Sequence, residues 1–136
     1  AKTDSEIKNK LTFVPIYEES KNTMGALTIG TQLLRLENGF GCIAHRKISL
    51  FGRRLYFGVP VRIIESTNSY KLEKSNNLII HSIGSLFGSK IKHNKNLFSC
   101  TYFSGMDIIG ENIMLSYGIN DISYSFAEIS KAKLWT

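Results

Sequence analysis

The sequence has few of the residues that build disulfide-rich, metal-bound or membrane-spanning proteins. Its 136 residues include two cysteines, two prolines, three histidines and one tryptophan. No apolar run approaches the roughly 18 residues that a membrane-spanning helix needs, and the chain does not open with a basic-then-apolar leader. We therefore expect a soluble, cytoplasmic protein that has no membrane partner.

The cysteines and histidines do not form a recognisable metal or redox motif. Cys42 and Cys100 each lie in an apolar, strand-like stretch, and free cysteine is among the most buried residue types. Two buried thiols are therefore predicted, while a disulfide would require the two Cα atoms to lie within about 7 Å. His45, His81 and His93 lack the close spacing of zinc ligands. We expect no metal and no cofactor.

Motifs of hydrolases and of nucleotide-binding enzymes are also missing. The chain has neither a Gly-x-Ser-x-Gly elbow nor a Gly-Lys-Ser/Thr phosphate loop. No two carboxylates can be assigned as the acid and base of a glycosidase. Catalysis by this chain alone is therefore not expected.

The charge of the chain is strongly basic, with a formal net charge of +6 and a pI near 9.4. Such a balance favours acidic partners such as nucleic acid, phosphate or an anionic glycan. Much of the excess lies in two runs, residues 46–54 and residues 90–95. Arg46, Arg53 and Arg54 could clamp a phosphate, or they could form a solvated rim.

Alternation of apolar and polar residues predicts an all-β, antiparallel protein. The clearest hairpin joins residues 31–36 to residues 40–45 through Glu37-Asn38-Gly39, because Asn-Gly tolerates the positive φ angles of a type I′ turn. Pro60 predicts a bulge or an outer position in its strand. Further strands are expected at residues 11–17, 54–64 and 78–83 and, in succession, from residue 97 to residue 129. A helix is indicated only near residues 126–134.

These strands fall into two groups, residues 30–83 and residues 97–129, each predicted to be a four-stranded antiparallel meander. Their spacing is close to that of a propeller blade. Residues 1–27 are interpreted as an N-terminal arm with an edge strand, and residues 28–136 as a two-blade β domain. With 43% hydrophobic residues, the chain can form one independent core.

Several short segments resemble five-bladed β-propellers that act on glycans. Residues 115–121, Leu-Ser-Tyr-Gly-Ile-Asn-Asp, resemble the Tyr-Tyr-Gly-x-x-Asp turn of the last blade of that family. Residues 30–45 resemble a segment that ends in a histidine facing the ligand. The family includes mannoside phosphorylases, related glycosidases and propeller domains found beside some glycosyltransferases. The similarity covers residues 28–129, or about two propeller-like blades, and the general acid of the family has no counterpart here.

The resemblance implies a site for a sugar or a sugar phosphate. His45 would donate to phosphate or to a hydroxyl, Asp121 would accept from sugar hydroxyls, and Tyr117 would pack against the ring. This chain departs from the family at two further candidate residues: Arg46, which stands where the family often has glycine, would clamp a phosphate, and Tyr102 or Phe103 would form an apolar wall. Each residue also has a structural interpretation, with His45 at a strand end, Asp121 in a turn and Tyr117 in the core.

The function implied is a non-catalytic or vestigial module that binds a glycan or sugar phosphate. Any activity would resemble that of a glycoside phosphorylase or hydrolase. An incomplete propeller exposes sheet faces and strand edges, so we expect a homo-oligomer, a dimer or larger. Two alternatives are an assembly module without a small ligand and a basic β protein that binds nucleic acid through Lys90, Lys92, His93 and Lys95.

Overall fold

The computed structural model describes residues 27–67, 69–87 and 94–135, and most of its regular structure is β-strand. The predicted all-β class is confirmed. The elements are β1 (Leu27–Ile29), β2 (Leu34–Leu36), β3 (Gly39–Leu50), β4 (Arg53–Ser66), β5 (Ser69–Lys74), α1 (Ile83–Phe87), β6 (Leu97–Ile109), β7 (Asn112–Ile119), β8 (Ser123–Ser130) and α2 (Lys131–Leu134). Residues 1–26 of the N-terminal arm, with the strand predicted at residues 11–17, lie outside the described residues.

The described strands form one sheet in the order β1-β3-β4-β6-β7-β8, with β2 also beside β3 and β5 also beside β4. Neighbours are antiparallel except β4 and β6, which pair in parallel over residues 54–56 and 97–100. Strands β2 to β5 form a four-stranded meander in the first predicted group, but its fourth strand is β5 and not the predicted residues 78–83. The second group was predicted to have four strands, and this is wrong. It contains three strands, β6 to β8, which are followed by α2.

The predicted hairpin is present, but its turn is not of type I′. Leu36 pairs with Gly39, so that Glu37 and Asn38 form the loop, and neither loop residue has a positive φ. Gly39 has a φ of 130°, and a Cβ there would lie 1.9 Å from the carbonyl oxygen of Ile63. Glycine is therefore required at this position for the close approach of β3 and β4.

Pro60 lies within β4 without the predicted bulge, in continuous register with Ile43 of β3. Gly58 exchanges both backbone hydrogen bonds with Ile79, on the side of β4 away from β3. Residues two apart on a strand direct their backbone groups to the same side, and the Pro60 carbonyl accepts from the Ser75 N–H. The missing N–H of proline therefore removes no bond between β3 and β4.

The strand predicted at residues 78–83 is wrong. Ile79 makes an isolated bridge to Gly58, and α1 begins at Ile83. The fourth strand is instead β5, a polar segment. Its Glu73 forms ion pairs with Arg62 of β4 and with Lys71 of β5. Alternation of apolar residues could not reveal β5, because it contains few of them.

The main core forms where β6 and β7 pack against β3 and β4. Its buried residues are Ile43, Phe103, Met106, Ile113, Leu115, Tyr117 and Leu134. Gly58 makes room for the ring of Phe103, because a Cβ there would lie 2.5 Å from Phe103 Cε2. The opposite face of β3 and β4 buries Cys42, Ala44 and Val61, so these two strands are covered on both sides. Neither Cys42 nor Cys100 is in a disulfide, and both are buried, as predicted.

Candidate ligand-binding cleft

His45 and Tyr102, two of the residues predicted for the site, are in contact. Their ring centroids are 4.0 Å apart, with the rings tilted by 38°. His45 is buried, while half of Tyr102 is exposed. Neither ring nitrogen of His45 has a hydrogen-bond partner in the described part of the chain. Gly30 closes the other side of the imidazole, since a Cβ there would lie 2.5 Å from His45 Nε2.

Tyr117 and Arg46 lie apart from this pair. Tyr117 is buried in the main core, where its ring centroid lies 5.3 Å from that of Phe103. Its hydroxyl is 3.1 Å from Nδ1 of His81. Arg46 is exposed on β3 beside His45, and neighbouring residues of a strand direct their side chains to opposite faces.

Asp121 is exposed in the turn between β7 and β8, next to a buried neighbour that has a structural role. Asn120 and Asp121 have φ angles of 53° and 61°. The Asn120 Oδ1 atom accepts from the backbone N–H of Cys100 at 2.8 Å and from the hydroxyl of Ser99 at 3.3 Å. Burial, and secondly the charge of Asp121, raise the pKa of the Cys100 thiol to about 11, so this thiol is unreactive near neutral pH.

The pKa of His45 predicts a pH-dependent stability. Burial of the imidazole is the main cause that lowers this pKa. As pH falls below about 6.5, the unfolded chain takes up the proton first, so the free energy of unfolding should fall by at most about 1.4 kcal/mol per pH unit. The loss continues until the pH reaches the lowered pKa of the folded state. Thermal melts of His45→Leu between about pH 5 and 7 should lack this dependence.

His81→Gln is the matched control for that series, because His81 is exposed. It should keep the pH dependence of the parent protein. If His45→Leu also kept it, a group other than His45 would control acid stability.

A cleft of the described structure lies elsewhere, between the β2–β3 hairpin and the C-terminal helix. Its volume is about 460 Å³, within the range of small-ligand pockets. We call it the Trp135 cleft, and it is lined by Arg35, Leu36, Glu37, Asn38, Phe40, Arg62, Ile63, Ile64, Ile108, Lys131 and Trp135. The hairpin, β4, the end of β6 and α2 therefore each contribute to it.

The position of Trp135 depends on a short capped helix and on a glycine. Helix α2 begins after Ser130, whose hydroxyl accepts from the Lys133 N–H, and the Trp135 N–H donates to the Lys131 carbonyl. The indole lies against Gly41 of β3, where a Cβ would be 2.6 Å from Cζ2 of the ring. Its buried Nε1 has no hydrogen-bond partner among the described residues. Packing, not hydrogen bonding, therefore holds this ring.

Three cations line the cleft, and two of them are paired. Arg35 makes two 2.9 Å hydrogen bonds to Glu65 and lies 4.8 Å from the centroid of the Phe40 ring. Arg62 gives one 2.9 Å hydrogen bond to Glu73, which leaves other guanidinium N–H groups available. Lys131 makes no ion pair with any described residue. An anion entering the cleft would therefore meet Lys131 and part of Arg62.

None of the residues predicted for the site lines this cleft. Arg35 and Phe40 could have been found from the sequence, because the predicted hairpin places them on facing strands, and they pair in the structure. Lys131 and Trp135 could not, since their place depends on how α2 packs against β3. The single tryptophan of the chain was the remaining sequence signal.

Within the described ranges, no group of three or more His, Cys, Asp or Glu side chains is arranged to hold a metal ion. None of the described helices is long and apolar enough to cross a membrane.

No protein-family model matches the chain. No curated protein and no solved structure is significantly similar to it. The resemblance to propeller blades therefore stays a prediction, and the function is inferred from the geometry of the cleft.

Proposed function

We propose that this chain binds a sugar phosphate, or a closely related anionic carbohydrate, in the Trp135 cleft. The observation that carries the proposal is the presence of Lys131, a cation without an ion pair in the described structure, in the same cleft as two aromatic rings. Trp135 and Phe40 both line the cleft, and aromatic faces pack against sugar rings, although Arg35 covers one face of Phe40. Lys131 and Arg62 supply charge-assisted donors to a phosphate.

The polar residues at the hairpin loop suit the remaining sugar hydroxyls. Glu37 can accept two hydrogen bonds, and the Asn38 side chain can both donate and accept. A volume of about 460 Å³ accommodates a monosaccharide phosphate and leaves space for a second ring.

The proposed role is binding without catalysis. Glycoside hydrolysis requires two carboxyl groups that flank the scissile bond. Glu37 is the single carboxylate among the described residues that line the cleft.

Calorimetric titration with mannose 6-phosphate, mannose and inorganic phosphate tests this proposal. We expect mannose 6-phosphate to bind more tightly than mannose or phosphate, because it alone uses both the cations and the rings. Lys131→Gln should weaken the binding of mannose 6-phosphate about tenfold, a change of about 1.4 kcal/mol, and should leave the binding of mannose unchanged.

Lys95→Gln is the matched control, because Lys95 is exposed and lies before β6, outside the cleft. Equal affinity of Lys131→Gln and the parent protein would contradict the proposal. Asp121→Asn tests the site that the propeller resemblance implies, and weaker binding by that variant alone would move the site to the β7–β8 turn.

A further inference from the structure

The charges of this chain are segregated along its sequence. Residues 97–130, which include β6, β7 and β8, contain no Lys, Arg or His. They carry four carboxylates, those of Asp107, Glu111, Asp121 and Glu128. All 17 Lys and Arg residues lie outside this segment. One part of a strongly basic protein is therefore purely acidic.

The acidic part also exposes aromatic side chains on one face. Tyr102 pairs with Gly118, which pairs with Tyr124, so the two tyrosines lie on the same face, about 10 Å apart. Phe126 is two residues after Tyr124 in β8, pairs with Ser116 of β7 and therefore lies on the same face. The exposed fractions are 50% for Tyr102, 80% for Tyr124 and 62% for Phe126. We call this surface the aromatic face.

Carboxylates border the aromatic face. Asp107 and Glu128 both pair with Met114, which places them on the same face as Phe126. Asp121 lies at the other end, in the β7–β8 turn. None of the three makes an ion pair with a described residue.

At the β3–β4 hairpin an exposed aromatic residue is flanked by cations instead of carboxylates. Phe51 and Gly52 form its two-residue loop. The side chain of Phe51 is 92% exposed. Arg46, Lys47, Arg53 and Arg54 flank Phe51, and no acidic residue lies between positions 46 and 54. These cations make no ion pair with described residues either. We call residues 46–54 the basic tip.

The backbone at the basic tip is strained by its phenylalanine. Phe51 has a φ of 51° and Gly52 a φ of 73°, the combination of a type I′ turn, for which Asn-Gly is the favoured sequence. A left-handed conformation costs a residue with a side chain such as phenylalanine roughly 1–2 kcal/mol. Strained residues of this kind cluster at functional positions. An exposed aromatic ring in a strained loop therefore points to a binding role.

We propose that the basic tip of one molecule docks on the aromatic face of a second copy of this chain. Phe51 packs against Tyr124 and Phe126, and the cations around it approach Asp107, Asp121 and Glu128. Clustered aromatic anchors within a charged rim are the usual composition of a specific interface. Each surface supplies the charge that the other lacks.

Nucleic acid would explain the basic tip but not the aromatic face, because the carboxylates there repel phosphates. A second copy accounts for both surfaces. Because different patches of the two molecules meet, the contact either forms twice across a two-fold axis in a dimer or repeats head to tail into chains or closed rings. The Trp135 cleft takes no part in it, and this inference is independent of the proposed function.

Sedimentation velocity and light scattering of the whole chain test the interface. We expect the mass to rise above that of a monomer with concentration, and association to weaken from about 50 mM to 500 mM NaCl because salt screens the charged rim. Phe51→Asn should raise the dissociation constant at least tenfold. Because asparagine tolerates the left-handed conformation, this variant should melt no lower than the parent protein.

Mixing two variants gives the sharpest result. Phe126→Ser has a defective aromatic face but an intact basic tip, and Phe51→Asn has the reverse, so each variant alone should be monomeric. In the mixture, the intact tip of one variant binds the intact face of the other, so dimers and nothing larger should form. Tyr70→Ser, which removes an exposed tyrosine from β5, should associate like the parent. A monomeric parent at millimolar concentration, a monomeric mixture, or association only with added RNA would overturn the proposal.

Discussion

Replacing Gly58 with alanine should lower the free energy of unfolding by about 3 kcal/mol, at the upper end of the range for overpacked cores. The added Cβ would lie 2.5 Å from Cε2 of Phe103 and 2.7 Å from Cγ2 of Ile43. Both neighbours are fully buried, so neither can move without displacing others. Thermal melting should show a decrease of about 10 °C in Tm.

Gly118→Ala is the matched control, because it also places an alanine within a strand. Its Cβ would have no neighbour closer than the Ser123 carbonyl oxygen at 3.8 Å, so we expect a change within about 0.5 kcal/mol. Adding Phe103→Leu to Gly58→Ala should recover part of the loss, since the smaller side chain makes room for the new methyl group. Strictly additive losses in the double variant would mean that the two residues are not coupled.

Gly58 also shows where prediction from the sequence stops. Alternation located β3 and β4, because their apolar residues repeat with a period of two. It could not show that β6 packs against β4 at Gly58, since that contact joins residues 45 positions apart in the chain. The absence of a side chain at Gly58 has meaning only once Phe103 is known to lie there.

The order of the strands was predictable only in part, because sequence patterns report pairings between neighbouring segments and not pairings between distant ones. Each antiparallel hairpin is a local structure, and the pairing of β2, β3 and β4 follows from turns between neighbouring segments, whereas β5 was not foreseen. The parallel pairing of β4 and β6 is not local, because residues 67–96 separate the two strands. Short turn signals carry no information on such a crossover.

The candidate site was predictable to a smaller extent than the fold. His45 and Tyr102 lie far apart in the sequence. The propeller resemblance named His45, Tyr102 was predicted as a wall of the same site, and the two rings are in contact. The Trp135 cleft, in contrast, joins the β2–β3 hairpin to the last helix. Its residues share no spacing in the sequence, and their chemistry becomes visible only when α2 is placed beside the β2–β3 hairpin.

Charge segregation carries information that the net charge of +6 conceals. The net value suggested an acidic partner for the whole molecule. The segment 97–130 carries only acidic charges while the rest of the sequence is basic, and the proposed self-association would use charges of both signs. The Trp135 cleft remains the site suited to a small anion, because Lys131 lies just after that segment.

The Asn120→Ala variant should lose about 3 kcal/mol of stability through two separate effects. The Cys100 N–H and the Ser99 hydroxyl would lose their common buried acceptor, and an unsatisfied buried donor costs about 1–3 kcal/mol. Alanine would also have to adopt the φ of 53°, which costs about 1–2 kcal/mol. Urea unfolding should show a lower midpoint at an unchanged slope.

Asn120→Gly separates these two effects, because glycine accepts the left-handed backbone but offers no side-chain oxygen. It should lose less stability than Asn120→Ala, and the difference measures the backbone strain. Asp121→Asn keeps a residue that tolerates a positive φ and removes no hydrogen bond of Asn120, so its stability should stay within about 0.5 kcal/mol of the parent. If Asp121→Asn were as destabilised as Asn120→Ala, the turn would depend on the carboxylate and not on the buried amide that joins it to β6.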